Sequence, residues 1–350
     1  MTYLKPSFRH PNAEKNAIGF YKHDYEGRLS TLCAGCGHDS INASIVQACF
    51  DIALEPHRLA KMSGIGCSSK SPTYFLAQSH GFNSVHGRMP SVTTGAAAAN
   101  HDLVYLGVSG DGDTASIGMG QFVHAIRRNL NVLYIVMNNG CYGLTKGQDS
   151  ATADVGSISK AGSNNQFQSI DLVALGLELG AQFVARSFSG DKDQLVPLIK
   201  AGLSHPGFAL IDVISPCVTF NNNPGSTKSY EYTRDHIEAT GAIDLVPHRE
   251  EILVAQAEGT TQYITLHDES QIAVHKLQSD WDPTDKDVAL SKIHEARKNH
   301  EVLTGLIYID PETVSLDKLL KLSKTPLSAL SQQELCPGAA TLATINDMYR

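Results

Sequence analysis

Two near-continuous apolar runs, Leu103–Ser109 (LVYLGVS) and Val132–Met137 (VLYIVM), constrain this chain more than any other feature. Neither alternates polar with apolar residues, so each predicts a strand buried on both faces, as in a parallel sheet covered by helices. The stretch between them, from about Ile117 to Arg128, has helical spacing. The same rhythm continues outward, with strands expected at Arg58–Ser63, Gln182–Arg186 and Phe208–Ile214 and helices at Ile41–Ala53 and Asp193–Leu203. Strand–helix alternation of this kind predicts an α/β fold with a doubly wound parallel sheet, residues 31–240.

Residues 1–30 are polar and mixed, and read as an extended arm. Residues 146–168 are rich in Gly, Ser, Asn and Thr without periodicity, the mark of a functional loop or lid. The character changes towards residues 241–350, read as a C-terminal α+β extension. It carries a β-hairpin over Thr260–Leu277 turning at His267–Ser270, a strand at Gly305–Ile309, and helices at Leu316–Leu322 and Ala339–Tyr349. At 350 residues and 42% hydrophobic content, there is enough apolar material for a full core.

A net charge of −8 with scattered basic residues argues against nucleic acid or an anionic membrane as partner. The polar amino-terminal stretch has no signal-peptide core and no segment approaches a membrane span, so a cytoplasmic protein is expected. Seven cysteines, an odd number that includes a Cys-x-x-Cys pair, point to metal or redox use in a reducing compartment.

Chemistry concentrates where strands end. Gly110-Asp111-Gly112 closes the first apolar run and Asn138-Asn139 the second. In a parallel sheet both ends open onto the ligand crevice, which would bring the Asp111 carboxylate and the Asn139 amide to one cation. Magnesium takes hard oxygen ligands and shares them with phosphates. Gly110 and Gly112 let the backbone approach a diphosphate, and the helix opening near Ser116 aims amide dipoles at it. Either piece alone is an ordinary turn; the pair on consecutive strands resembles the thiamine diphosphate motif. That resemblance implies magnesium held by Asp111, Asn139 and the carbonyl of Cys141, whose thiol is then incidental.

Cys33 and Cys36 form a tight turn, Cys67 follows a strand in SGIGCSS, and Cys217 follows another in SPCVTF. Loops along one sheet edge would let these four thiolates converge, for a [4Fe–4S] cluster or a structural zinc. Cys49, inside a helix, reads as core, and Cys336 sits at a turn.

Taken together, LCAGCGH, SGIGCSSK, HGR (His86–Arg88), SGDGD, NNGCYGLTKGQ and SPCVTFN resemble the β subunits of the 2-oxoacid:ferredoxin oxidoreductases, and within them the 2-oxoglutarate type, over roughly residues 30–225. The resemblance implies a diphosphate-binding domain of the thiamine-diphosphate-binding type. It further implies oxidative decarboxylation of a 2-oxoacid to acyl-coenzyme A, with electrons passing through one [4Fe–4S] cluster on Cys33, Cys36, Cys67 and Cys217 to ferredoxin, and CO2 fixation in reverse. An α subunit would supply the pyrimidine-binding domain in an αβ or (αβ)2 assembly, without which this chain is inactive. Cofactor contacts are expected from Ile65, Gly66, Ser68, Ser69, His86, Gly87, Arg88, Gly110, Asp111, Gly112, Asp113, Asn139, Cys141, Tyr142, Gly143, Leu144 and Thr145. Ile65 and Leu144 compete as the residue that presses thiamine into its bent form, and Asp113 either extends the acidic motif or faces water. Lys70 and Lys146 are candidates for the distal carboxylate of 2-oxoglutarate; pyruvate and branched-chain 2-oxoacids are the alternative substrates. The rivals are a non-redox thiamine enzyme and a non-catalytic iron–sulfur electron-transfer subunit, which would leave the Gly-Asp-Gly and Asn-Asn pair without a purpose.

Overall fold

The computed structural model describes residues 13–145, 147–157, 164–218, 252–266, 271–336 and 338–350. The two apolar runs are neighbouring central strands, β3 (Val104–Gly110) and β4 (Val132–Asn138). Around them stand β1 (Leu59–Ser63), β2 (His80–Asn83), β7 (Phe183–Phe188) and β8 (Phe208–Ile214), and two short strands, β5 (Cys141–Tyr142) and β6 (Gln148–Asp149), pair with each other apart from the main sheet. Among the described residues the main sheet has nine strands, in the order β2-β1-β3-β4-β8-β7 and then β11 (Glu301–Ile309), β10 (Gln271–Lys276) and β9 (Thr261–Thr265). All neighbours from β2 to β7 are parallel.

Side chains of β4 show why the runs carry no polar alternation. Tyr134 and Val136 enter one helix-covered face, Leu133, Ile135 and Met137 the other, and all are buried. On the second face lie α1 (Gly37–Asp51) and α5 (Lys192–Ser204), contributing Ile41, Ile45, Leu195 and Ile199. The first face is covered by α2 (Met89–Ala99), α3 (Met119–Arg127), α4 (Leu172–Glu178) and α6 (Lys286–Lys298).

The C-terminal strands continue the same sheet. β9 (Thr261–Thr265) and β10 (Gln271–Lys276) are antiparallel, as the expected hairpin requires; its turn at 267–270 lies outside the described residues. Strand β11 (Glu301–Ile309) starts earlier than expected because it serves two partners. Glu301–Thr304 pairs parallel with β10, and Gly305–Ile309 pairs antiparallel with β7. The sheet is therefore mixed at this edge and parallel through its centre. Among the described residues, no helix is long and apolar enough to cross a membrane.

The chain leaves β1 for one side of the sheet and takes up β3 on the other, so the order reverses between these strands. That switch point is where an open α/β sheet forms its ligand crevice.

Candidate functional site

Five of the motifs singled out in the sequence lie at the carboxyl ends of parallel strands, and the Cys33–Cys36 turn leads into α1. After β1 comes Gly64–Lys70, after β2 the His86–Arg88 loop, after β3 Gly110–Gly112, after β4 Asn138–Cys141 and after β8 Ser215–Cys217.

Asp111 is 1% exposed. Burial raises its carboxyl above the usual range, opposed by hydrogen bonds from Ser150, Thr152 and the Asn139 amide. Asn139 N–H donates to Oδ1 at 3.2 Å, Thr152 Oγ1 to Oδ2 at 2.7 Å, and Ser150 Oγ also to Oδ2. Asn139 Oδ1 accepts from Cys141 N–H at 3.1 Å, folding the chain so that Asp111, Asn139 and Cys141 form one corner. Ser150 and Thr152 escaped the sequence reading. They belong to the Gly/Ser-rich loop, which returns along β6 and places both hydroxyls on the carboxylate; the only hint was a run of hydroxyl residues in a long loop.

Asp113 does not face water. It is 3% exposed, with Gly87 N–H on Oδ1 at 2.8 Å and Ser109 Oγ on Oδ2 at 3.0 Å, and it also takes the Ile65 amide. It thus ties the β1, β2 and β3 loops together. Gly87 has φ +68°, and a Cβ there would lie 2.7 Å from Gly118 Cα, so this loop crosses the start of α3 without room for a side chain. His86 and Arg88 are exposed. Residues Gly112–Ile117 form a π-helical turn before α3, and Tyr142 Oη donates to the Gly112 carbonyl at 3.0 Å, laying its ring on that turn. Gly143 is buried, whereas Leu144 and Thr145 point outward.

Ser68 Oγ is one of several buried polar atoms without a hydrogen-bond partner among the described residues, and it faces the site. The residue is 1% exposed and its hydroxyl has no hydrogen-bond partner. A Cβ on Gly110 would meet this oxygen at 3.4 Å, so the hydroxyl faces the glycine cradle at the end of β3. Gly66, with φ +128°, turns the chain into the 3-10 helix Cys67–Thr73, within which Ser69 Oγ donates to Gly66 O at 2.7 Å. Ile65 and Gly66 are half-buried at the same loop.

The four expected cysteines are neighbours. Burial and then the thiols of Cys217 and Cys67 push Cys36 well above its ordinary value, despite a backbone hydrogen bond from His38. Cys67 is raised to about 11 by burial, then by Cys217 and Cys33, with Lys70 opposing. The Cys141 thiol, read as incidental, lies against one of them. Cys141 is hydrogen-bonded to Cys217, which together with burial lifts its pKa far upward. Adjacent strands bring this about: Ser215 N–H donates to Asn138 O at 2.7 Å, aligning the β4 and β8 exits. The Cys33–Cys36 turn is bolted to the same place, because His38 Nδ1 lies 2.6 Å from Ser215 Oγ. Among the described residues, no three His, Cys, Asp or Glu side chains meet as ligands of a single ion.

Lys70 sits beside Cys67, its Nζ 3.4 Å from Thr31 O. Lys146 lies outside the described residues, as do Thr219 and Phe220 of the last motif.

Residues 64–213 match the family model described as the C-terminal TPP-binding domain of thiamine pyrophosphate enzymes. The chain is 41% identical over 194 residues to the 2-oxoglutarate oxidoreductase subunit KorB of Mycobacterium tuberculosis, covering 54% of this chain and 51% of that one. To the 2-oxoglutarate synthase subunit KorB of Methanocaldococcus jannaschii it is 35% identical, covering 54% of this chain and 70% of the relative. The matched stretch thus spans about half of the first of these relatives and 70% of the second. Among solved structures it is similar to a 2-oxoglutarate:ferredoxin oxidoreductase from Magnetococcus marinus with 2-oxoglutarate, coenzyme A and succinyl-CoA bound. The TM-score is 0.68 at 28% identity, covering 88% of this chain and 91% of that one. On the strand-end site and these likenesses, the chain belongs to the β subunits of the 2-oxoacid:ferredoxin oxidoreductases, of the KorB kind.

Proposed function

We propose that the chain is the β subunit of a 2-oxoglutarate:ferredoxin oxidoreductase. On this reading it binds the diphosphate half of thiamine diphosphate with magnesium, holds one [4Fe–4S] cluster, and works with an α subunit that brings the pyrimidine-binding domain. The observation that carries it is the meeting of two donor sets at one sheet edge, with the Cys141 thiol against Cys217 where they border.

The residues fit these groups. An unpaired, buried Ser68 hydroxyl beside the Gly110 cradle suits a diphosphate oxygen, which would give that hydroxyl the partner a buried polar atom needs. Asp111, Asn139 and the Cys141 carbonyl offer the hard oxygens magnesium prefers. A cubane bonds one thiolate at each of four irons, so its ligands ring a volume; tetrahedral zinc draws its sulfurs to one centre. Cys36 and Cys67 each feel the Cys217 thiol, and Cys67 also feels Cys33, as a four-thiolate set for either group would; a redox centre beside a carbanion-forming cofactor favours the cluster.

When bound, thiamine diphosphate supplies the carbon that takes up the electrons left by departing CO2. The chain's own residues hold and shield. Asp113 locks the three loops that shape the cradle, and Ile65, half-buried beside Asp113, is better placed than the outward Leu144 to press against the cofactor. Since neighbouring thiols raise one another's pKa, iron must displace their protons, and cluster loading is favoured as pH rises. Exposed Val85, Ile117, Leu144, Val155 and Phe167 leave an apolar rim near these loops, the surface a partner subunit would cover.

The test is co-purification with the α subunit and viologen reduction with coenzyme A across a 2-oxoacid panel. The expected result is preference for 2-oxoglutarate, and a Lys70→Ala variant whose KM rises about tenfold or more for 2-oxoglutarate but little for pyruvate. Equal effects on both substrates would remove the substrate assignment; no reduction with any 2-oxoacid would remove the function.

A further inference from the structure

Asn138, the first asparagine closing β4, has both ends of its side chain committed. Its Nδ2 donates to Asp212 Oδ1 at 3.0 Å on the neighbouring strand β8, and its Oδ1 lies 3.1 Å from Thr152 Oγ1. That hydroxyl is 2.7 Å from Asp111 Oδ2. On the far side of Asp212, Arg186 Nε donates to Oδ2 at 3.0 Å, and Arg186 Nη2 donates to Asp171 Oδ1. Arg297, on α6 of the C-terminal region, reaches Asp171 Oδ2 at 3.6 Å. A continuous polar path therefore crosses β7, β8 and β4 and ends on the carboxylate assigned to magnesium. Arg186 is 7% exposed and Asp212 and Asp111 are each 1% exposed.

A buried ion pair is a poor way to stabilise a sheet, because desolvation of both charges offsets most of their attraction. What it supplies here is direction. The Asp212 carboxylate only accepts, so Asn138 must turn its amide NH2 towards it and its carbonyl oxygen towards Thr152. Thr152 is thereby held between two acceptors, and Ser150 donates to Asp111 beside it.

We propose that Asp212 and Arg186 are positioning residues for magnesium, which through Asn138 and Thr152 hold the Asp111 carboxylate in its binding orientation. This rests on the thiamine diphosphate–magnesium reading above. The experiment measures Mg2+-dependent binding of thiamine diphosphate by calorimetry to the full chain co-purified with its partner subunit, with melting temperature recorded alongside. Thr152→Val and Asp212→Asn are each expected to raise the Mg2+ concentration for half-saturation by about tenfold or more, the effect of losing a partner of a metal ligand. Thr152→Ser restores the wild-type value. Because both changes cut one path, the double variant should bind no worse than the weaker single one. If Asp212→Asn does not fold, Asn138→Ala takes its place in the cycle. An unchanged Mg2+ requirement in Thr152→Val, or penalties that simply multiply in the double variant, would overturn the proposal. Wild-type chain that shows no Mg2+-dependent binding would overturn the underlying reading instead.

Discussion

Ser68 shows how one atom can serve function against stability. Its buried hydroxyl has no partner, so the folded chain carries a desolvation cost of about 1–3 kcal/mol that a diphosphate would relieve. Ser68→Ala is therefore expected to leave the melting temperature unchanged or higher while weakening thiamine diphosphate binding several-fold. A lower melting temperature with unchanged affinity would mean that the hydroxyl serves the fold. Gly37 is a steric counterpart: a Cβ there would stand 2.5 Å from Ser189 Oγ and 2.7 Å from Ser215 Oγ, where α1 meets the ends of β7 and β8. Gly37→Ala should cost about 1–3 kcal/mol by overpacking and loosen the Cys33–Cys36 turn. Urea unfolding and iron content after anaerobic reconstitution check both effects, and full iron content at wild-type stability would contradict them. Which residues were legible in the sequence follows from how each acts. Asp111, Asn139, Cys67 and Cys217 announce themselves through neighbours along the chain, at strand ends, and Cys33 and Cys36 through their Cys-x-x-Cys spacing. Thr152, Asp212 and Arg186 act through distant partners, as in the Thr152–Asn138 and Asn138–Asp212 contacts 14 and 74 positions apart, and nothing local marks that role. Asp113 was ambiguous for the same reason, since its burial depends on the Gly87 amide arriving from another loop.

At the scale of elements, strands were readable wherever burial on both faces wrote a continuous apolar run, as in β3, β4 and β8. The exposed edge strand β2 left no such trace, because His80–Asn83 is exposed throughout. Helix α2 hid behind its composition: MPSVTTGAAAA buries Met89, Thr93 and Ala97 at fourfold spacing, but small residues blur the amphipathic signal. Helix α6 carried the same spacing in Ala289, Ile293 and Ala296, with Asp285 capping Asp287 and Val288, a cap followed by a weakly apolar face. Strand β1 is anchored to the 3-10 helix that begins at Cys67, and to the turn after it, by Lys61. This residue is 6% exposed and donates to the carbonyls of Pro72, Phe75 and Leu76 at 2.6, 2.8 and 3.0 Å. Burial lowers its pKa from 10.5 to about 8. Between those values the unfolded chain holds a proton that the folded chain has released, so stability rises with pH. The group's contribution is most favourable above pH 10.5 and is lost as pH falls through about 8. Relative to Lys61→Met, the wild type should gain up to about 3 kcal/mol between pH 7.5 and 10 in urea unfolding. Parallel stability curves would contradict this account of the anchor.

Across the whole molecule, one sheet edge gathers a hard-oxygen corner on β4 and, on the adjacent β8, the Cys217 thiol near Cys36 and Cys67. Cys141, three residues beyond Asn138, hydrogen-bonds to Cys217, two residues beyond Ser215, so the two donor sets share a border. The C-terminal strands extend the same sheet and, through Arg297 and Asp171, touch the path that ends at Asp111. The apolar rim around the crevice is consistent with a site completed by a second subunit. The central claim is that electrons released on decarboxylation at the oxygen corner pass to iron held by the neighbouring thiols. It is tested most directly by electron paramagnetic resonance on the anaerobic complex with its α subunit, frozen after mixing with 2-oxoglutarate, coenzyme A, thiamine diphosphate and Mg2+. A reduced [4Fe–4S] signal is expected that depends on every component and disappears in Cys217→Ala. A complex that contains no iron, or iron that stays oxidised while CO2 is released, would contradict it.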